Sequence, residues 1–419
     1  MSDQTKSKFV CILTQYFYPD LPGTAKIAKD LAFGFAKSGF RVDVYTGSPA
    51  YSSVNDTSKQ LLIDDVMIHR AYSPNLSRKG IISRLINGFL VASSVSLKLF
   101  FKRHDIIIVD STSPFLLTIA SFIRLVKKTP YIVLVHDVYP DIAIKLGVVS
   151  DKSILAVLWK KLYCIVYRCS SKIVVLGSRM QQIVGRDLNL SDKAKIVIIP
   201  NWVDGSAITP AFLQKNDLKK QLGFHDAFVI IYSGNMGLTH DIDTILKSAE
   251  KMLYQPKIKY LLIGGGGMYE QSVKFVSDKG LNNVKILPYQ PEDIFPQFLG
   301  CADASLVTLA DGIEGLSVPS KIYSSLAAGL PVIGVLNEGS EIADIIVESE
   351  CGYRTPPGNV DMLVDVISRL YCNSNDVERM SINARREFEL KYSREIGVDK
   401  HINLVSLVLS ENIKHKNKI

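Results

Sequence analysis

The strongest constraint on this chain is a recurrence: short apolar runs, each bounded by turn residues and each followed by a segment with helical periodicity. The first series lies at 9–14, 42–46, 106–110, 132–136, 173–176 and 196–200, and a second at 228–233, 260–264, 284–287, 304–309 and 331–335. Continuous apolar runs of that length alternating with helices predict parallel strands covered on both faces. The expected fold class is α/β, with two Rossmann-like sheets in tandem. Residues 200–205, PNWVDG, end the first series in turn chemistry,. The expected domains are therefore 1–205 and 206–392, with 393–419 a helix crossing back to the first domain and ending in a basic tail.

At 419 residues, 47% hydrophobic and 21% charged, the chain excludes disorder, collagen and coiled coil as its main architecture,. Its six cysteines form no CxxC pair and no export leader precedes Lys8, which predicts a reduced, cytoplasmic protein,. Charge is uneven: residues 1–205 carry 27 Lys/Arg against 15 Asp/Glu, the remainder 22 against 26. An anionic partner for the first half follows. No zinc-finger, RNP-like or helix-turn-helix signature accompanies the charge, so the expectation is an anionic membrane surface and no nucleic acid. Two stretches, 66–104 and 152–186, contain no Asp or Glu. The first holds Arg70, Arg78, Lys79, Arg84, Lys98, Lys102 and Arg103, with the apolar residues Leu85, Ile86, Phe89, Leu90, Leu97 and Phe101. Its uncharged part, 85–97, is too short to span a bilayer, so it is expected either to lie in the interface or to be an ordinary buried helix.

Open parallel sheets bind ligands beyond the carboxyl ends of their strands, which directs attention to the loops after each run. After the first, Gly23 and Thr24 stand where a helix begins, as an anion cradle or a plain turn and cap. His136-Asp137 ends another run, as a functional pair or a buried structural histidine. The glycines of 264–267 do not fit GxGxxG, yet Gly265 and Gly266 permit close backbone approach to a ligand. Asp241 and Asp243 are spaced like a DxD metal pair but also open a helical pattern, and the helix-start reading is preferred. The seven histidines form no zinc motif, so no metal is expected,. The densest stretch is 314–334, EGLSVPSKIYSSLAAGLPVIG, where Lys321 next to Ser320 and a helix start is a phosphate candidate or a solvated lysine,.

Taken in order, Tyr18-Pro19 with Gly23-Thr24, His136-Asp137, Ile199-Pro200-Asn201, Ser233-Gly234-Asn235-Met236-Gly237, Leu262-Ile263-Gly264-Gly265-Gly266, Pro319-Ser320-Lys321 and Ala328-Gly329-Leu330-Pro331-Val332 resemble the retaining nucleotide-sugar glycosyltransferases of family 4 over nearly the whole chain. That resemblance implies the GT-B architecture of two facing domains with a cleft, and the branch resembled assembles capsule, O-antigen and exopolysaccharide. It implies a UDP-sugar donor, a glycan or polyprenyl-diphosphate-linked acceptor, no cofactor or metal, and a place at the inner face of the cytoplasmic membrane.

The same resemblance assigns catalytic roles to His136, near the transferred sugar, and to Lys321. It assigns donor binding to Gly23, Thr24, Gly234, Asn235, Gly237, Gly265, Gly266, Ser320, Ser324 and Glu341. Two departures stand out. No Arg and Lys follow Gly234, and Ser324 occupies the usual ribose-binding Glu position; Lys321 or Arg179 would supply the missing charge. The rival readings are a nucleotide-sugar epimerase of the same architecture and a non-catalytic sugar-nucleotide-binding protein.

Overall fold

The computed structural model of the protein describes residues 8–19, 23–47, 60–71, 81–186, 188, 194–208, 210 and 218–416. Arg78 and Lys79 lie outside them, and so do the side chains of Arg84, Leu85 and Asn87. The chain divides into two compact units: Met1–Pro200 with Glu395–Ile419, and Asn201–Arg394.

In the first unit, eight strands form one sheet in the order β3-β4-β2-β1-β5-β6-β7-β8. They are β1 (Phe9–Leu13), β2 (Arg41–Thr46), β3 (Gln60–Ile63), β4 (Val66–Arg70), β5 (Ile106–Asp110), β6 (Tyr131–Leu134), β7 (Lys172–Val175) and β8 (Ile196–Ile198). Every pair is parallel except β3 with β4. That hairpin corrects the wholly parallel expectation. Its turn is Asp64-Asp65, both with positive φ (43° and 64°), as a two-residue hairpin turn requires,. Neither strand carries an apolar run of the kind sought: β3 is exposed or half-buried throughout and β4 ends in His69-Arg70.

The second unit holds β9 (Phe228–Asn235), β10 (Ile258–Gly265), β11 (Val284–Leu287), β12 (Ala304–Thr308), β13 (Val332–Val335) and β14 (Gly352–Thr355). Their order is β11-β10-β9-β12-β13-β14, all parallel. The edge strand β14, GYRT, has no apolar run either, which is why it escaped the sequence pattern.

Helices cover the first sheet: α1 (Gly23–Lys37), α2 (Ile81–Phe101), α3 (Pro114–Lys127), α4 (Asp141–Lys145), α5 (Ile154–Cys169) and α6 (Ser178–Arg186). In α1 the buried residues Ala25, Ala28, Leu31, Ala32 and Phe35 recur at helical spacing, so one face is apolar and meets the sheet,. Gly34 on α1 leaves room for the C-terminal helix Arg394–Lys416, since a Cβ there would stand 2.3 Å from Val398 Cγ1. Ser153 caps α5 by accepting from the Ala156 amide at 3.1 Å,. In both sheets the first strand of the series has neighbours reached in opposite directions. β1 lies between β2 and β5, and β9 between β10 and β12. These reversals open a crevice at the strands' carboxyl ends, between β1 and β5 in one unit and β9 and β12 in the other.

Candidate functional site

In the second unit the chain after β9 turns sharply at Gly234, whose φ of 131° a side-chain-bearing residue rarely adopts,. The β10 end is packed so tightly against it that a Cβ on Gly264 would stand 1.8 Å from the Gly234 carbonyl oxygen. Backbone bonds lock the two loops: the Met236 amide donates to the Gly265 carbonyl (2.7 Å) and the Met268 amide to the Met236 carbonyl (2.8 Å). Gly266 has φ 130° and faces Asn235 Oδ1, while Asn235 Nδ2 stands where a Gly237 Cβ would be crowded. Gly234, Asn235, Gly237, Gly265 and Gly266 therefore form one glycine-walled rim.

Lys321 rises beneath that rim. It is the first residue of the seven-residue helix Lys321–Ala327, and its Nζ lies 3.7 Å from the Tyr232 ring centroid. Lys321 Cε stands 3.3 Å from where a Gly234 Cβ would be, so glycine is what lets the lysine through. The residue is 9% exposed and its Nζ is buried, without a hydrogen-bond partner among the described residues. Burial pushes the amine well below its ordinary pKa,. The aromatic face and rim place a nitrogen donor with no acceptor at a strand-end crevice, where an oxyanion would complete it.

His240 belongs to the same cluster, although nothing in the sequence singled it out. Its Nδ1 donates to the Thr308 carbonyl at 2.7 Å, which fixes the tautomer because a carbonyl only accepts,. Its ring stands edge-on to Tyr232, 6.3 Å between centroids. Burial first, then the neighbouring Lys321 charge, pull its pKa down to about 3, against the Thr308 carbonyl. The imidazole is neutral at physiological pH. Its position at the β9–β12 crevice was the available signal, and glycine counting overlooked it.

Other expected residues take their places separately. Ser320 is exposed ahead of the helix, and its side chain makes no cap. The Ser324 hydroxyl donates back to the Lys321 carbonyl at 2.9 Å. Glu341 is buried in the first turn of the helix Glu341–Glu348, beside the Ser340 cap. Asp241 caps the helix Ile242–Lys251 and also accepts from the Gly358 amide at 3.0 Å, while Asp243 pairs with Lys247 at 2.5 Å. Both carboxylates are thus occupied in holding structure.

In the first unit, Gly23 and Thr24 form the first turn of α1, and Arg179 lies half-buried on α6. His136 stands just past β6, with its amide donating to Ser111 Oγ at 3.1 Å and its Nδ1 buried without a hydrogen-bond partner among the described residues. Burial lowers its pKa, and the nearby Asp110 and Asp137 charges oppose that. The C-terminal helix brings His401 close enough to feel His136.

Residues 22–206 match the family model described as Glycosyltransferase Family 4, and residues 214–387 match the model described as Glycosyl transferases group 1. The chain is a glycosyltransferase. The transferase is similar to the probable glycosyltransferase WbjE of Pseudomonas aeruginosa, 27% identical over 341 residues that cover 81% of this chain and 84% of that protein. It is also similar to the putative colanic acid biosynthesis glycosyl transferase WcaI of Escherichia coli K12, 29% identical over 136 residues, 32% of this chain and 33% of that one. Among solved structures, Anabaena HepE in complex with UDP and glucose superimposes with a TM-score of 0.72 at 15% identity, covering 95% and 99% of the two chains. At that identity the likeness shows the fold, which is GT-B. The transferase therefore has the architecture that its sequence motifs resemble.

Proposed function

We propose that the transferase moves a sugar from a UDP-sugar to a glycan or polyprenyl-diphosphate-linked acceptor in surface polysaccharide assembly, with retention at the anomeric carbon. Names of relatives support the setting: WcaI is described as a colanic acid enzyme and WbjE as a glycosyltransferase. The observation that carries the donor half is the Lys321 amine, buried under the Gly234 turn with no acceptor. When the nucleoside diphosphate leaves, negative charge grows on the β-phosphate. The amine, protonated as the diphosphate settles beside it, stabilises that charge more in the transition state than in the ground state. Glycines at the rim let backbone amides approach the same phosphates, and the family resemblance gives His136 the role beside the transferred sugar. This chemistry asks for no resident metal or cofactor. Isomerisation of the donor, the epimerase alternative, is not favoured by relatives that are all described as transferases.

Mass spectrometry of the protein with UDP- and GDP-sugars tests the reading. Slow hydrolysis of a UDP-sugar is expected, and Lys321→Ala should lower it by about two to three orders of magnitude. Hydrolysis of GDP-sugars alone would overturn the UDP assignment, and an unchanged rate in the variant would remove Lys321 from the donor site.

The setting proposed is the inner face of a membrane. Among the described residues no helix is long and apolar enough to cross one. Side by side, however, α2, α3 and α5 expose Leu97, Phe101, Phe122, Leu125, Ile154 and Leu158, each more than half open to solvent. Lys98, Arg124, Lys160 and Lys161 stand on the same helices, which contain no Asp or Glu. Apolar side chains among cations suit an anionic lipid surface; two copies meeting through this face would bring like charges together.

A further inference from the structure

Two nitrogen bases share the Tyr232 ring at the second unit's crevice. Lys321 Nζ lies over its face, 3.7 Å from the centroid, and the His240 ring meets its edge at 6.3 Å between centroids. The tyrosine is fixed, because its hydroxyl donates to the Asn235 carbonyl at 2.6 Å. His240 is held as firmly. Its amide donates to the Gly237 carbonyl at 3.0 Å, the Thr239 carbonyl before it accepts from the Ala310 amide at 2.8 Å, and the Asp241 amide after it donates to the Thr308 hydroxyl at 3.0 Å. With Nδ1–H committed to the Thr308 carbonyl at 2.7 Å, the neutral ring presents Nε2 as a bare lone pair,. Nε2 has no hydrogen-bond partner among the described residues, and in this half-buried side chain it is not one of the atoms sealed from solvent. The adjoining Asp241 carboxylate does not draw a proton onto the ring: Oδ1 accepts from the Thr244 amide, and Oδ2 from the Thr244 hydroxyl and the Gly358 amide.

A lone pair facing a ligand is answered only by a donor. The ionised oxygens of a sugar-linked diphosphate only accept, so the group that completes Lys321 leaves Nε2 unanswered. Nor does the ring become a second cation beside it. Burial and the Lys321 charge both oppose its proton, and lysine is by nature the stronger base by about four pKa units. A hydroxyl carries the hydrogen that Nε2 requires, and a nucleotide sugar has hydroxyls on both sides of its diphosphate, on the ribose and on the transferred sugar.

We propose that His240 Nε2 accepts a hydrogen bond from a hydroxyl of the nucleotide-sugar donor, which makes His240 a specificity-determining residue of the site where Lys321 meets the diphosphate. The proposal rests on the nucleotide-sugar reading given above.

Two amide side chains separate this role from a structural one. In His240→Asn an amide NH2 keeps the place of Nδ1 toward Thr308, and Nε2 is gone. In His240→Gln an amide oxygen takes the place of Nε2, and the Thr308 bond is lost. Isothermal titration uses UDP, its 2′- and 3′-deoxy forms, UDP-glucose and UDP-N-acetylglucosamine, with GDP and GDP-mannose in parallel. A hydroxyl-bearing ligand should bind about fivefold more weakly to His240→Asn, the scale of one neutral hydrogen bond, and nearly as well to His240→Gln as to the unsubstituted protein. Urea midpoints should rank the other way, with His240→Gln the lower. A loss seen with UDP and absent with one deoxy form assigns the hydroxyl to the ribose; equal binding of UDP with a loss only for the UDP-sugar assigns it to the transferred sugar. Full affinity in His240→Asn, or losses in both variants, would make the residue structural and overturn the proposal. So would a His240 imidazolium in nitrogen-15 spectra of the UDP-bound protein, which would turn Nε2–H toward the phosphate. Those results leave donor binding intact, whereas an unsubstituted protein that binds none of these nucleotides overturns the donor reading and the proposal together. The same contrast seen with GDP ligands alone overturns the UDP assignment and supports the role of His240.

Discussion

A lysine held under a glycine turn with its amine facing an aromatic ring is costly for the second unit to maintain. Burial depresses the Lys321 pKa far below the unfolded value of about 10.4,. Between the two values the unfolded chain binds more protons than the native one, so stability must rise with pH through that window and level off above it. Lys321→Met removes the cost. Urea melts of the protein and of Lys321→Met at pH 7 and at pH 9.5 should show a higher midpoint for the variant at pH 7 and a smaller gap at pH 9.5. A variant less stable at both pH values would mean that the amine has a partner in the fold. His240 shows how such residues escape a reading of the sequence. Lys321 was legible because it stands in a PSK segment before a glycine-proline stop. His240 follows an unremarkable Leu238-Thr239, and only the β9–β12 pairing reveals that its Nδ1 reaches Thr308. Asp110 was visible as the end of an apolar run, but nothing local to the chain marks one of its oxygens as unsatisfied.

At the scale of elements, the central strands were readable because each is a continuous apolar run buried on both sides. β3, β4 and β14 sit at or near sheet edges and lack that pattern. The helices behaved likewise: α2 was visible as an apolar segment, whereas its alignment with α3 and α5 is a tertiary fact. Lys127 near the end of α3 donates to the Leu99 and Lys102 carbonyls at the end of α2 (3.1 and 2.8 Å), and Phe115 near the start of α3 meets Phe89, 5.8 Å between ring centroids. The two helices thus run side by side in the same sense, and each carries exposed apolar residues. If those residues meet lipid, the protein should pellet with vesicles of phosphatidylglycerol and phosphatidylcholine and be released by high salt. Leu125→Glu, an exposed change on α3, should weaken pelleting without altering the thermal midpoint. Absence of pelleting at low salt would argue for an acceptor that is not held in a bilayer.

For the molecule as a whole, two doubly wound units each present a strand-end crevice with unsatisfied polar atoms, and their chemistries differ. The second unit offers a buried amine, suited to a diphosphate. The first holds, at the ends of β5 and β6, Asp110 Oδ2 and His136 Nδ1 without partners among the described residues. The donor assignment has a direct thermodynamic signature, because an amine pushed down by burial must regain its proton when a diphosphate arrives beside it. Isothermal titration of the protein with UDP at pH 8, in buffers of different ionisation enthalpy, measures that proton. Net proton uptake on UDP binding is predicted, disappearing together with most of the affinity in Lys321→Met; UDP binding of equal strength in both proteins, with no proton taken up by either, would contradict it.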